Sequence, residues 1–240
     1  MRRHVIALTA TFLALPALAQ EAPRTDDEIK ALVLEAIREN PSIVTEAVEL
    51  LEQQEVAAQE EAARSLLNEG RDALERDPAV PVAGNPDGDV TVVEFFDYNC
   101  PYCKRATGVL RDLMAEDPNV RVVFREWPIL GEGSYFAARA ALAARNQDRY
   151  EDMHFALMDL DQADEASVMA TAEALGLDLD RLRTDMEDPA MLDQFQTTNE
   201  LAQGLGFSGT PSFVIGDELI PGVATPDQMR EAVKAAREGG

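Results

Sequence analysis

The chain has 240 residues, of which 45 are acidic and 21 basic, and its formal net charge is −24. This charge excludes nucleic acid and anionic membrane surfaces as favoured partners, because both carry the same sign as the protein. The length is sufficient for one domain of ordinary size and an accessory element.

Residues 1–19 have the pattern of a secretory signal sequence. Arg2 and Arg3 supply a positive start, an apolar centre follows, and Ala17-Leu18-Ala19 is a small-x-small cleavage site. The apolar centre has about 14 residues, fewer than the roughly 20 that a spanning helix needs. The sequence therefore predicts a soluble protein that is exported to the periplasm and begins near Gln20.

A helical, acidic arm is predicted over residues 20–78. Thr25 or Asp26 can cap its first helix, and Asn40-Pro41 ends that helix. The apolar stripe of the arm is too narrow to form a core by itself, so it must pack on the following domain or on another copy of the chain. Both arrangements are open. We favour a homo-oligomer formed through residues 20–77, because an exposed apolar stripe is unfavourable.

Residues 79–240 are predicted to form an α/β domain. The pattern indicates, in order, an extended entry segment or linker (78–89), a strand (90–96), a helix (104–116), a strand (120–124), a helical insertion (about 130–206), a hairpin (212–221) and a last helix (228–237). A helix between two strands is typical of a parallel βαβ unit. The helical insertion is too long for a loop and indicates a subdomain.

The two cysteines of the chain, Cys100 and Cys103, enclose Pro101 and Tyr102 at the start of the helix after the first strand. A disulfide across so short a loop removes little entropy from the unfolded chain, so the spacing favours redox chemistry over a structural bridge. A helix N-terminus stabilises a thiolate at Cys100, whereas Cys103 lies one turn further in. We therefore predict that Cys100 attacks, that Cys103 resolves, and that exchange passes through a mixed disulfide.

A metal site on the same sulfurs is an alternative. Tetrahedral zinc needs four ligands, and the exported chain offers the two cysteines and His154, which we expect to be a packed or surface histidine. No zinc site is therefore predicted. Two-coordinate Cu(I) on soft sulfur ligands stays open.

The segments FFDYNCPYC and GTPSFVIG, together with REWPILG and FAARAALAA, resemble the exported DsbA-like branch of the thioredoxin superfamily over residues 79–237. The arm is similar to that of the group containing the copper-sensitivity suppressor ScsC and the Com1-type outer-membrane-associated proteins. The resemblance implies an α/β thioredoxin fold with an inserted all-helical subdomain and an N-terminal helical arm. It also implies no cofactor beyond the redox-active disulfide of the cysteine pair.

The resemblance further implies roles for individual residues. Thr210-Pro211 matches a cis-proline turn that faces the cysteine pair and binds the client backbone, and Pro101 and Tyr102 complete the substrate-binding set. Glu94 matches a buried acid whose pKa is raised by burial, so that it can exchange a proton with Cys103.

The residues beside the pair bear on its acidity. With tyrosine where strong oxidants have histidine, Cys100 should be less acidic than in those proteins. Lys104 and Arg105 could compensate, and Asp97 would oppose them if its charge faced the sulfur.

The predicted function is thiol-disulfide interchange on cysteine-containing exported proteins. The group resemblance favours an isomerase or reductase that a membrane thiol-redox partner keeps reduced. The direction of electron flow is open, because the same pair could serve a dithiol oxidase. The remaining alternatives are a Cu(I)-binding protein of copper tolerance and a client-binding chaperone whose cysteines are incidental.

Overall fold

The computed structural model describes residues 24–239, so the predicted signal sequence and the predicted start near Gln20 lie outside the described residues. The chain divides into two compact units after Gln53. Among the described residues, no helix is both long enough and apolar enough to cross a bilayer.

The first unit contains α1 (Asp26–Glu39) and the first part of α2 (Ser42–Glu69). The predicted cap is confirmed: the Glu28 amide donates to the Thr25 hydroxyl at 3.4 Å, and the Thr25 amide donates to the Glu28 carboxylate at 2.8 Å. The predicted end of α1 is also confirmed, with Asn40 as its C-cap. No residue of α1 is buried.

The second unit begins with the rest of α2 and carries the sheet. Its further elements are α3 (Arg71–Glu75), β1 (Val82–Gly84), β2 (Val90–Phe96), α4 (Pro101–Glu116), β3 (Val120–Glu126), α5 (Glu132–Ala144), a 3-10 turn (Arg145–Gln147), α6 (Tyr150–Met158), α7 (Glu165–Ala174), α8 (Leu179–Asp185), α9 (Ala190–Gly204), β4 (Ser212–Ile215), β5 (Glu218–Pro221) and α10 (Pro226–Gly239). The predicted helical insertion is α5 to α9.

The described strands form one mixed sheet in the order β1-β3-β2-β4-β5. The predicted βαβ unit is confirmed, because β2 and β3 are parallel and are joined by α4. The predicted hairpin is confirmed by the antiparallel pairing of β4 with β5 around Gly216 and Asp217. The entry segment contributes β1, which pairs antiparallel with β3. Three residues are too few for a sequence pattern to identify such a strand.

Side chains of successive strand residues alternate between two cores, one on each face of the sheet. On one face Val92, Phe96 and Phe124 join the apolar side chains of α4 and the inserted helices. On the other face Val93 and Phe95 pack with a second set of apolar side chains. Leu67 and Leu74 of this set precede the sheet, and Trp127, Leu201 and Phe207 follow β3. The α/β fold with inserted helices and N-terminal helices that the resemblance implied is confirmed.

The predicted arm of residues 20–78 contains two different parts. Residues 54–78 belong to the same compact unit as the sheet. Arg125 of β3 is fully buried and donates to the main-chain oxygens of Ala73 and Leu74, while Arg121 donates to that of Glu75 at 2.7 Å. These bonds satisfy carbonyl groups that the end of α3 leaves free. The sequence-based arm boundary at residue 78 stays a prediction.

Candidate active site

The cysteine pair lies where β2 passes into α4. Cys100 is the N-cap of α4, Pro101 is its first residue, and the Cys103 amide donates to the Cys100 sulfur at 3.4 Å. Proline suits this position because the first amides of a helix have no intrahelical partner. Both cysteines are free thiols, Cys100 with 3% of its surface exposed and Cys103 with none. Cys100 thus keeps a small exposed surface at the start of the helix, whereas Cys103 has none.

Asp97 fixes the turn that leads to Cys100. The Cys100 amide donates to the Asp97 main-chain oxygen at 3.1 Å. The Asp97 carboxylate accepts four hydrogen bonds, from the amides of Asn99, Ile129 and Leu130 and from the Ser134 hydroxyl. Its charge is therefore directed to these donors, a structural use that the sequence did not indicate.

The predicted counterpart of the pair, Thr210-Pro211, lies beside it. The peptide bond between Thr210 and Pro211 is cis, as the resemblance implied. The Cys100 sulfur is 3.3 Å from the main-chain oxygen of Thr210, to which the thiol donates. This proximity arises because Ser212, the first residue of β4, pairs with Phe95 near the end of β2.

The pKa values of the two cysteines are shifted in opposite directions. A hydrogen bond from the Cys103 thiol lowers the pKa of Cys100 to about 5, although burial opposes it, and the Thr210 hydroxyl and two backbone amides add to the lowering. The pKa of Cys103 is raised above its usual range, first by burial and then by the bond to Cys100 and the charge of Glu94. At neutral pH the pair is therefore a thiolate at Cys100 and a thiol at Cys103.

Glu94 lies in the middle of β2, fully buried, on the sheet face that α4 covers. Neither of its carboxyl oxygens has a hydrogen-bond partner among the described residues. Burial, with a smaller effect from the charge of Cys100, raises the pKa of Glu94 to about 8. At neutral pH Glu94 is therefore mainly protonated, so it can accept a proton from another group only after losing its own.

Tyr102 and the two basic residues after Cys103 form the rim of the site. The Tyr102 ring is 53% exposed, and the Arg105 guanidinium lies 4.4 Å from its centroid. The Lys104 amine donates to the main-chain oxygen of Leu160, and burial lowers the pKa of Lys104. Tyr102 is thus exposed at the surface beside the cysteine pair.

A buried polar cluster behind the turn was missed by the sequence interpretation. Tyr98 and Tyr150 each donate to the same oxygen of Glu126 at 2.9 Å, and Tyr98 lies 3.1 Å from Nδ1 of His154. All four side chains are buried. His154 is packed, as expected, and burial lowers its pKa to about 3, with a smaller effect from the charge of Arg111. The one available signal was an acid at the end of an apolar strand.

An apolar groove opens near the same turn. Trp127 and Ile129 line one side and Leu192 and Phe195 the other, enclosing about 320 Å³. The Trp127 indole donates to Asn199 at 3.1 Å. Ile129 is 42% exposed and Leu192 is 58% exposed, so apolar surface remains accessible.

Within residues 24–239, no three His, Cys, Asp or Glu side chains are grouped so that they could hold a metal ion. A two-coordinate Cu(I) site on Cys100 and Cys103 would need no third ligand and stays an open alternative.

Comparison with known proteins gives one family and several solved structures. A sequence profile described as the DSBA-like thioredoxin domain matches residues 91–234. A thioredoxin-like oxidoreductase from Silicibacter pomeroyi DSS-3 is 56% identical, with a TM-score of 0.69, and the alignment covers 70% of this chain and 98% of that one. ScsC from Proteus mirabilis, in a transitional conformation, is 32% identical with a TM-score of 0.66, over 90% of this chain and 96% of that one.

Two further similarities concern location and length. A periplasmic thioredoxin-like protein from Salmonella enterica serovar Typhimurium is 32% identical with a TM-score of 0.62, over 70% of this chain and 96% of that one. The Na(+)/H(+) antiporter NhaA 3 of Salinispora tropica is 34% identical over 158 residues, which are 65% of this chain and 24% of the antiporter. The chain therefore spans about a quarter of the length of that curated relative.

Proposed function

The chain belongs to the family of DsbA-like thioredoxin domains and is a thiol-disulfide oxidoreductase, and from this premise we propose that it isomerises or reduces the disulfides of exported proteins in the periplasm. The observation that carries the proposal is the asymmetry of the pair, a thiolate at Cys100 beside a buried thiol at Cys103. The thiolate is the attacking species in exchange. The signal pattern of residues 1–19 and the periplasmic Salmonella relative support the location.

The exchange begins at Cys100. Its thiolate attacks one sulfur of a client disulfide, a bond forms between that sulfur and Cys100, and the other client sulfur leaves as a thiolate. If that thiolate or another client thiolate attacks the mixed disulfide, the client is isomerised and the protein returns to its reduced state. Isomerisation therefore transfers no net electrons between the protein and the client.

Reduction uses the second cysteine. Cys103 gives up its proton and attacks the Cys100 sulfur, so the Cys100–Cys103 bond forms and the client sulfur leaves with the electron pair. The client has gained two electrons, and the protein is oxidised until a membrane thiol-redox partner reduces it. We propose that Glu94 is protonated in the resting reduced protein, loses that proton once the mixed disulfide has formed, and then accepts the Cys103 proton. The mixed disulfide removes the charge of Cys100, which lowers the pKa of Glu94 at the step when an acceptor is needed.

The client is held on both sides of Cys100 in this proposal. Thr210 and Pro211 bind its backbone beside the thiolate. Exposed apolar surface at Tyr102, Ile129 and Leu192 receives its side chains, since unfolded or misfolded clients expose such groups.

A homo-oligomer formed through the arm completes the proposal. Nine large apolar side chains in the first unit are between 39% and 58% exposed: Ile29, Leu32, Val33, Leu34, Ile43, Val44, Val48, Leu50 and Leu51. This is far more apolar surface than scattered exposed residues provide, and its burial between copies would stabilise the oligomer. Several active sites around one client would suit isomerisation, because the client must be retained while its disulfides rearrange.

Refolding of scrambled ribonuclease, measured with the reduction potential of the Cys100–Cys103 pair, tests the direction of exchange. Recovery of ribonuclease activity that depends on both cysteines supports the proposal. A reduction potential of about −120 mV, without isomerisation, would identify a dithiol oxidase instead.

Sedimentation of the full chain tests the oligomer. Leu32→Glu with Leu51→Glu places two charges on exposed apolar positions, and the oligomer should dissociate. Gln53→Glu with Gln54→Glu adds the same charge at polar positions and should leave the mass unchanged. Equal masses for all three proteins would refute assembly through the arm.

Cu(I) binding is the second candidate, favoured by the presence of two adjacent free thiols. Titration of the reduced protein, of Cys100→Ser and of Cys103→Ser separates the candidates. Tight binding that both substitutions abolish would support the copper function, and its absence would eliminate it.

A further inference from the structure

Two buried carboxyl groups, Glu94 and Glu126, share one face of the sheet. Glu94 pairs with Phe124 on the parallel neighbour strand, and Glu126 lies two residues beyond Phe124. Residues two apart on a strand face the same side, so the two acids are diagonal neighbours. Both are at most 1% exposed. An apolar interior disfavours two negative charges on neighbouring side chains, so the two acids must titrate as a coupled pair.

The two acids differ in their hydrogen bonds. One oxygen of Glu126 accepts from Tyr98 and from Tyr150, each at 2.9 Å. Neither oxygen of Glu94 has a partner in the described part of the chain. Hydrogen bonds to a carboxylate stabilise its charged form, and burial without such bonds destabilises it. Burial raises the pKa of Glu126 above its usual range, and the charges of Asp97 and Glu94 add to this rise. The hydrogen bonds from the two phenols lower it, and Glu94 has no such bonds.

The protons of the cluster can be assigned from its geometry. A phenol has one proton, and Tyr98 uses it for Glu126. The contact of 3.1 Å between Tyr98 and His154 must then be a donation from Nδ1–H of His154 to the phenol oxygen. Nε2 of His154 is consequently unprotonated, and it is buried without a partner among residues 24–239. The chain of bonds therefore runs from His154 through Tyr98 to Glu126.

We propose that Glu126 is a positioning residue of the redox centre, which carries the negative charge of this buried pair and thereby keeps the proton on Glu94. The inference rests on the proposed role of Glu94 in proton exchange with Cys103. Glu126 touches neither sulfur in this account and acts through Glu94. The titratable and charged groups that face the pair are Asp97, Tyr98, Cys100 and Cys103 from the turn and α4, Arg111 from α4, and Tyr150 and His154 from α6.

Carbon-13 NMR of the full chain with labelled glutamate carboxyl groups tests the inference. The Glu94 and Glu126 resonances are assigned by their loss in Glu94→Gln and Glu126→Gln. The Glu126 resonance should titrate at lower pH than that of Glu94. In Glu126→Gln, which keeps an oxygen acceptor for both phenols but removes the charge, the Glu94 midpoint should fall by about one pH unit or more. Glu173→Gln removes an exposed charge and should leave that midpoint unchanged.

A Glu94 midpoint that Glu126→Gln does not move, or a Glu126 resonance that titrates above Glu94, would overturn the inference. If Glu126→Gln does not fold, Tyr150→Phe serves instead, because it keeps both carboxyl groups and removes one phenol. The Glu126 midpoint should then rise towards that of Glu94; an unchanged Glu126 midpoint would contradict the proposal.

The NMR titration is independent of client turnover. If Glu126→Gln shifts the Glu94 midpoint but Glu94→Gln resolves the mixed disulfide at the wild-type rate, the charge assignment to Glu126 stands. The proposed proton transfer through Glu94 is then refuted. If Glu94→Gln slows the resolution step but Glu126→Gln leaves the pH dependence of that step unchanged, the proposed proton transfer stands. The charge assignment to Glu126 is then contradicted.

Discussion

The sulfur of Cys100 lies 3.3 Å from the main-chain oxygen of Thr210, although 110 positions separate the two residues. The same residue presents its side-chain hydroxyl to the sulfur and contributes to the low pKa of Cys100. When Cys100 ionises it can no longer donate to the Thr210 carbonyl, which in the proposed function then accepts an amide of a client strand. Thr210 thus links the acidity of the thiolate to the proposed binding of clients.

The first prediction concerns the Thr210 hydroxyl. Thr210→Val should raise the pKa of Cys100, because it removes a donor to the thiolate while retaining the shape of the side chain. Thr210→Ser keeps the hydroxyl and should retain most of the acidity. The thiolate absorbance of the reduced protein as a function of pH measures both; coincident curves for the valine and serine variants would contradict the prediction.

The second prediction concerns the Cys103 thiol. The Cys100 thiolate should titrate with a midpoint near pH 5 in the reduced protein, and Cys103→Ala should move that midpoint upward, since Cys103 is the largest source of the shift. Cys103→Ser, with a hydroxyl donor, should move it less. Rates of alkylation by iodoacetamide at graded pH report the midpoint without a client. An alanine variant with an unshifted midpoint would show that the helix N-terminus alone sets the acidity.

The third prediction concerns Glu94 and stability. Between pH 4.5, where the unfolded carboxyl titrates, and about pH 8, the folded state keeps a proton that the unfolded chain has lost. The contribution of Glu94 to stability is therefore complete below the unfolded pKa and is lost as pH rises through this range. Glu94→Gln should remove this loss and be the more stable protein at about pH 9, by an upper bound of about 5 kcal/mol.

Urea unfolding of the reduced protein at several pH values measures this difference, because the pKa of Glu94 includes the effect of the Cys100 charge. Glu173→Gln, at an exposed position, is the matched control and should parallel the wild type throughout. A free-energy difference between Glu94→Gln and the wild type that did not vary with pH would show that Glu94 titrates normally.

The fourth prediction concerns Arg125, which fastens the end of α3 to the sheet. Arg125→Ala should lower the free energy of unfolding by roughly 3–5 kcal/mol, because it leaves the carbonyls of Ala73 and Leu74 without their donor in a buried setting. Arg183→Ala breaks an exposed ion pair with Glu165 and should cost less than about 1 kcal/mol. Equal decreases in the free energy of unfolding of the two variants, measured with urea, would show that the Arg125 hydrogen bonds do not stabilise the fold.

Local sequence was a good guide where an element is long or its chemistry is local. The apolar run of β2, the capping residue Thr25 and the proline after Cys100 each act within a few residues, so their consequences could be predicted. The three-residue strand β1 was not identified, because its pairing with β3 depends on the position of a distant strand. The use of Asp97 as an acceptor for Ile129 and Leu130 was missed for the same reason.

The sequence by itself determined the chemistry of the site, because a pair of cysteines two residues apart at a helix N-terminus suits exchange whatever surrounds it. It also indicated the order of the helices and strands, which follows from local periodicity. Only the tertiary structure decided which groups surround the sulfurs. Burial and proximity set the states of Glu94, Cys103 and the Glu126 cluster, and both depend on how β3, α6 and β4 meet around β2. A charge in an apolar interior is governed by its neighbours in space, and these are distant along the chain.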